Sequence, residues 1–188
     1  GDIVEKRECL PWIAETLGQL KAPYGVFYVV GNHELRIHDI GLVRNTLTEA
    51  GLQGVGDCWT KLEINGHPLV IAGNELPWFR PAADMSDCPV EFEGKRPLRV
   101  LLAHSPDQLG WAVERDFDLM LAGHTHGGQV RLPGIGPLLA PSWHGIRHAS
   151  GVFHAPPTLM HVSRGLAGTR PLRLNCRPEL AQLTLCRS

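Results

Sequence analysis

Three short apolar runs, each ending abruptly in residues able to bind a metal, constrain this chain more than any other feature. They are GVFYVVGNHE at 25–34, LRVLLAHSPD at 98–107 and FDLMLAGHTH at 117–126. Apolar runs this short, without polar alternation, predict strands buried on both faces, as in a sheet covered by helices. Between them, the spacing of Leu10, Ile13, Leu17 and Leu20 predicts a helix within 4–20. Ile40, Val43, Leu47 and Ala50 predict a second within 38–51, stopped by Gly51. The alternation is that of an α/β fold.

Smaller signals fill in the rest. Asn65-Gly66, set between two strand-like runs in KLEINGHPLVIAG (61–73), predicts a tight hairpin. Ser105, Pro106 and Gln108 after the second run predict a helix start with a capping box, so that His104 sits where a strand ends and a helix begins. The Gly- and Pro-rich stretch 132–157 predicts a long ordered loop. PTLMHVS (157–163) and LAQLTLC (180–186) predict two late strands that close a second sheet.

With 188 residues, one domain spanning 1–188 is expected. Lys plus Arg (18) nearly balance Asp plus Glu (19), so bulk charge gives no nucleic-acid-binding or membrane-surface signature. Cys9, Cys58, Cys88, Cys176 and Cys186 are odd in number and widely spaced, which argues against a disulfide scaffold or zinc ribbon and for buried, reduced thiols. No run approaches the roughly 20 apolar residues of a membrane span.

In open α/β sheets, functional groups collect beyond the carboxyl ends of strands. Asn32, His33, His104, His124 and His126 all fall there, and GDIVE at the start places Asp2 on the same rim. A carboxylate, an amide oxygen and imidazoles suit Mn, Fe, Zn or Ni better than the soft metals that thiolates select. Gly31, Gly123, Gly127 and Gly128 predict positive φ or close backbone approach around that rim. In a strand, His124 and His126 would share a face; turned by the glycines, they address two neighbouring ions. The remaining histidines, His38, His67, His144, His148, His154 and His161, read as structural or solvated. Arg36 and Arg164 are candidate phosphate contacts, although an exposed arginine is usually only a solvated charge; no substrate-binding residue is assigned.

The motifs GD at 1–2, GNHE at 31–34, His104 in LLAHSPD and GHTH at 123–126 occur in an order that resembles the calcineurin-like metallophosphoesterase superfamily. With HVSRGLAG at 161–168 and CRPEL at 176–180, the chain looks like the bacterial YkuE/YaeI-type phosphodiesterase branch. The resemblance implies a four-layer α/β/β/α sandwich with mixed sheets and two divalent metal ions. It implies that Asp2 bridges them, that Asn32, His104 and His124 hold one, and that His126 holds the other. It implies hydrolysis of phosphoric monoesters or diesters, lipid-linked ones included, by a bridging hydroxide. His33 would contact the phosphoryl group or protonate the leaving oxygen. Glu5 stands where many members carry an aspartate that orients this histidine. The family's Asp-x-His motif has no counterpart before Gly1, so the chain is expected to be N-terminally incomplete, lacking a strand and two ligands of one ion. The rival reading is a degenerate binding or scaffold module on the same fold. Location is expected to be cytoplasmic or membrane-peripheral.

Overall fold

A computed structural model describes residues 1–168 and 171–186. In chain order the regular elements are α1 (Trp12–Glu15), β1 (Phe27–Tyr28), α2 (Ile40–Glu49), β2 (Gln53–Gly54), β3 (Trp59–Ile64), β4 (His67–Asn74) and β5 (Leu98–Ala103). Then come α3 (Leu109–Glu114), β6 (Leu119–Ala122), β7 (Arg131–Leu132), β8 (Gly136–Pro137), β9 (Gly151–Ala155) and β10 (Thr158–Val162). Six strands make one mixed sheet in the order β3-β4-β5-β6-β10-β9, with helices flanking it. The four inner strands are mutually parallel, and β3 and β9 run antiparallel at the edges. A separate parallel pair, β1 with β2, lies beside the N-terminal helices. The chain is thus an α/β fold whose parallel strands all deliver their carboxyl ends to one rim.

The second and third apolar runs form β5 and β6 as expected; one face of each is fully covered, while Leu102 and Leu121 on the other are half-buried and line a cavity. Leu101, Met120, Met160 and Val162 are fully buried in one cluster with Phe117 and Ala112. A second cluster joins Val30 of the first run to Val43 and Leu47, which lie one helical turn apart on α2, and to Ile13 and Leu10. Asp39 caps α2 by accepting the Leu42 N–H at 2.9 Å. The hairpin turns at Asn65-Gly66, with φ of 52° and 73°, the left-handed pair that a two-residue turn requires.

Other expectations are corrected. The segment 4–20 is not one helix. It breaks into 3₁₀ turns at Arg7–Cys9 and Leu17–Gln19 around the four residues of α1: Pro11, with no N–H to give, parts the first turn from α1, and the non-helical backbone of Thr16 (φ −113°, ψ −81°) ends α1 before the second. Helical spacing still selects the buried residues: Leu10 and Ile13 are covered, whereas Leu20 is exposed. PTLMHVS forms β10, but it joins the main sheet beside β6 rather than closing a second one. LAQLTLC forms no strand; among its described residues Leu180, Leu183 and Leu185 are exposed. Gln108 completes no capping box. Its side chain accepts from Asn74 Nδ2 at 3.0 Å, while Ser105 alone caps the turn by accepting from the Asp107 N–H. The 132–157 stretch carries β7, β8 and β9. All five cysteines are free, but only Cys88 and Cys176 are buried; Cys58 and Cys186 are exposed. No helix among the described residues is long and apolar enough to cross a membrane.

Where β4 ends, the backbone of Val55 lies directly against Gly73, and a Cβ there would stand 1.9 Å from the Val55 carbonyl oxygen. Gly110, in contrast, has open space around its Cβ position within α3. Gly73→Ala is therefore expected to lower unfolding stability by about 3 kcal/mol. Gly110→Ala should leave it unchanged or raise it by about 0.5–1 kcal/mol. Urea denaturation of the two variants beside the wild type checks the contrast.

Candidate metal centre

The rim is assembled from two strand ends and two loops. His104 follows β5, His124 follows β6, and the Gly123 N–H donates to the His104 carbonyl at 3.0 Å, which ties those exits together. Asp2 and Asn32 arrive from loops that one side chain holds in place. Glu34, only 1% exposed, accepts backbone N–H groups from Asp2 (3.0 Å), Ile3 (2.5 Å), Val4 (2.9 Å) and Gly31 (2.5 Å). Gly31 is needed for closeness rather than for φ: a Cβ there would meet Asp2 Oδ1 at 2.4 Å and His104 Cε1 at 2.5 Å. Gly123 meets neither condition, with a negative-φ backbone and no close neighbour.

Four donor groups converge as a result. His104 Nε2 lies 3.1 Å from Asn32 Oδ1, 3.1 Å from His124 Nδ1 and 3.3 Å from Asp2 Oδ2. Ligand atoms of Asp2, His104 and His124 all lie within 4.8 Å of one another. His104 Nε2 carries at most one proton, so it cannot satisfy both Asn32 Oδ1 and Asp2 Oδ2. Asp2 Oδ2 is buried and makes no well-formed hydrogen bond. A divalent cation coordinated by these oxygens and nitrogens would remove the conflict, so the residues fit a hard-to-borderline metal ion. Trp78 packs on both imidazoles, with ring centroids 5.2 Å from His104 and 4.8 Å from His124.

His126 stands apart from this group. It lines the same cavity of about 760 Å³, across from His33, with ring centroids 6.5 Å apart. Its Nδ1 bonds the Ala167 carbonyl at 3.2 Å, which leaves Nε2 as the free donor atom. His124 and His126 both take left-handed backbone (φ 68° and 51°), as does Asp2 (φ 58°). Non-glycine residues held there concentrate at functional sites, at a cost of about 1–3 kcal/mol each. The turn thus sends the two histidines in different directions instead of along one strand face. His33 Nδ1 sits 3.0 Å from Glu5 Oε2, and its N–H donates to Asp2 Oδ1 at 2.9 Å. Arg36 is paired with the same Glu5 oxygen, and Arg164 donates to Glu179 at 2.5 Å.

The sequence that carries these strand-end ligands is similar to known proteins. The calcineurin-like phosphoesterase family pattern matches residues 1–128. The chain belongs to that family. It is 29% identical over 197 residues to the metallophosphoesterase YkuE of Bacillus subtilis (strain 168), covering 98% of this chain and 65% of YkuE. It is 31% identical over 174 residues to the phosphodiesterase YaeI of Escherichia coli (strain K12), covering 92% of this chain and 62% of YaeI. A metallophosphoesterase of Aquifex aeolicus (strain VF5) is 32% identical over 98% of this chain and 70% of its own length. The chain thus spans somewhat less than two thirds of YkuE and YaeI. No solved structure matches it.

Membership in the calcineurin-like phosphoesterases implies divalent metal ions, and the electrostatics suit them. Burial pushes the imidazole of His104 down to about 4, against the opposing pull of Asp2. Burial also lowers His124 and His126. Burial would raise Asp2, but the His104 contact and the His33 N–H outweigh it and hold the carboxyl well below its usual range. Neutral imidazoles beside a charged carboxylate are the protonation states a cation needs.

Several residues that shape the site were not legible from motif chemistry. Glu34 stands within GNHE, yet nothing local marks it as the acceptor for two loops. Trp78 lies in GNELPW, far in sequence from both rings it covers. Asp107 accepts from Ser142 Oγ at 2.5 Å and the Trp143 N–H at 3.2 Å, and the His124 ring bonds the Pro141 carbonyl, so the long loop is fastened to the ligand turn.

These shifts set a pH dependence for the metal-free protein. The unfolded chain protonates His104 near its ordinary 6.5, whereas the folded one does so only near 4. Between those values the unfolded state binds the extra proton, so stability falls as pH drops from about 6.5 to about 4. His124 and His126 add to the loss in the same direction; Asp2 contributes only below the ordinary carboxyl range. Melting temperatures of chelator-treated protein at pH 7.5, 6 and 5 should fall steadily. His104→Asn should remove a large part of that slope, and a slope unchanged by the substitution would refute the assignment.

Proposed function

We propose that this chain carries the catalytic metal site of a phosphoric-ester hydrolase with a two-metal centre, in which Asp2 is shared by both ions. The observation that carries the reading is the convergence of Asp2 Oδ2, Asn32 Oδ1, His104 Nε2 and His124 Nδ1 on one point, with His33 and Glu5 paired on its flank. Asn32, His104 and His124 are assigned to one ion and His126 to the other. Divalent ions bound there would supply a hydroxide nucleophile at neutral pH and offset the charge of the phosphoryl oxygens. The printed names of YkuE and YaeI, a metallophosphoesterase and a phosphodiesterase, support the same reaction class.

The chain's own residues act on orientation and protons. An Nδ1–H donated by His33 to Glu5 Oε2, 3.0 Å away, would fix the tautomer and the orientation of the ring. The other nitrogen, Nε2, then faces the cavity 3.8 Å from Asp2 Oδ2, placed to donate its proton to a departing alkoxide. Arg36 on the far side of Glu5 holds the carboxylate in place. Trp78 shields the two buried imidazoles from water on one side, favouring their neutral form.

The experiment is hydrolysis of phosphate monoesters and diesters by the protein that carries this chain, after chelation and after readdition of Mn, Fe, Zn or Ni. Chelation should abolish turnover. His33→Ala should lower kcat by about 100-fold or more with metal content unchanged. Glu5→Gln should lower it by about 10-fold and flatten the pH–rate profile. Metal lost together with activity in His33→Ala would make that residue a ligand. Elemental analysis of the isolated 188-residue chain should give close to one tightly bound ion, since four of the assigned donor groups gather at one point and His126 stands apart. Two tightly held ions would show that further donors complete the second position.

A further inference from the structure

The balanced total charge conceals a strong segregation along the chain. Residues 119–178 contain six arginines and no aspartate or glutamate, whereas residues 1–118 carry eleven basic against eighteen acidic side chains. The acid-free stretch also carries many of the large exposed apolar side chains, on a loop tied to the turn that bears His124. Ile135 (70% exposed), Leu138, Leu139 (80%), Trp143 (78%) and Ile146 project from the long loop. Leu166 and Leu172 do so from the segment that follows β10.

These side chains are not the outside of a floppy loop. The loop's polar groups are spent inward: the Asp107 carboxylate accepts from Ser142 and Trp143, and Thr125 Oγ1 donates to the Ala149 carbonyl at 2.7 Å. The His124 ring bonds the Pro141 carbonyl. Gly128 packs so closely that a Cβ there would stand 2.6 Å from Pro137 Cβ and 2.7 Å from the Leu139 carbonyl oxygen. Nor is the positive charge consumed throughout. Arg131 is bound by Gly127 and Ser150, Arg164 by Glu179, and Arg173 by a set of carbonyls. Arg147 and Arg177 are exposed and have no acidic partner among the described residues.

A fixed apolar tip bearing a tryptophan, ending at the unpaired Arg147 and with no acidic residue of its own, has the composition of a surface that enters the headgroup layer of a membrane. Protein interfaces also use tryptophan and arginine. An acid-free stretch of this length suits a uniformly anionic partner better. The geometry points to loop 132–147 as the part of this protein that docks on an anionic lipid bilayer, which sets the metal rim at the membrane surface. The inference does not depend on the reaction assigned to the metals.

Co-sedimentation of the 188-residue chain with phosphatidylcholine vesicles, with and without phosphatidylglycerol, tests it. Partitioning should be at least about tenfold stronger on the anionic vesicles and should weaken as salt is raised. The double substitution Leu139→Ser with Trp143→Ser should lower it by about tenfold or more, because both side chains lose apolar burial. Arg147→Glu should lower it by about fivefold or more. Circular dichroism and bound metal should match the wild type in each variant, since the changed side chains are exposed. Equal binding to neutral and anionic vesicles, or variants that sediment like the wild type, would overturn the inference. So would concentration-dependent self-association that the double variant abolishes, which would make a second copy of the chain the occupant.

Discussion

One carboxylate holds this site together. Glu34 is buried, and an unpartnered buried carboxylate costs several kcal/mol. Four backbone N–H groups from two loops offset that cost, and in doing so they place Asp2 and Asn32 opposite His104. Without the clamp, neither loop has a reason to stop where its donor atoms meet the strand-end histidines. A second buried carboxylate works in parallel: Glu75 accepts the Val30 N–H at 2.7 Å and pairs with Arg44 of α2, joining the first apolar run to the end of β4. Glu75 thus links the N-terminal cluster to the main sheet, while Glu34 ties the N-terminal segment to the loop after the first run.

The centre itself is a conflict left open by the fold. Protein chains satisfy buried polar atoms almost everywhere. Here Asp2 Oδ2 is left without a good donor while His104 Nε2 is approached by two acceptor oxygens and a second imidazole nitrogen at 3.1–3.3 Å. Left-handed backbone at Asp2, His124 and His126 adds strain at the same place. The stability given up at these residues is the counterpart of a ready-made cation site, since ligands that need no rearrangement bind with less ordering cost.

The parts of this arrangement that a sequence can carry are those set by local pattern. Strand ends at His104 and His124, the turn at Asn65-Gly66 and the buried face of α2 were all legible, because apolar period and glycine placement act within a few residues. The pairing of His33 with Glu5 was reached through a family resemblance, not through spacing. What escaped depended on partners distant in the chain. Gln108 looked like a capping residue until Asn74 from β4 claimed its side chain. LAQLTLC has the composition of a strand, yet no neighbouring strand pairs with it among the described residues. Glu34 and Trp78 escaped for the same reason, since their importance lies in what they touch 30 or so residues away. Charge offers a different lesson: the total was uninformative, while its distribution along the chain was not.

The account rests on the claim that the crowded donor set at the strand ends holds a cation directly. X-ray absorption spectroscopy of the chain loaded with one equivalent of zinc examines that shell without reference to activity. The account predicts a first shell of only nitrogen and oxygen, with outer-shell scattering from two imidazole rings that drops to one in His104→Ala. A shell containing sulfur, or a spectrum unchanged by that substitution, would contradict it.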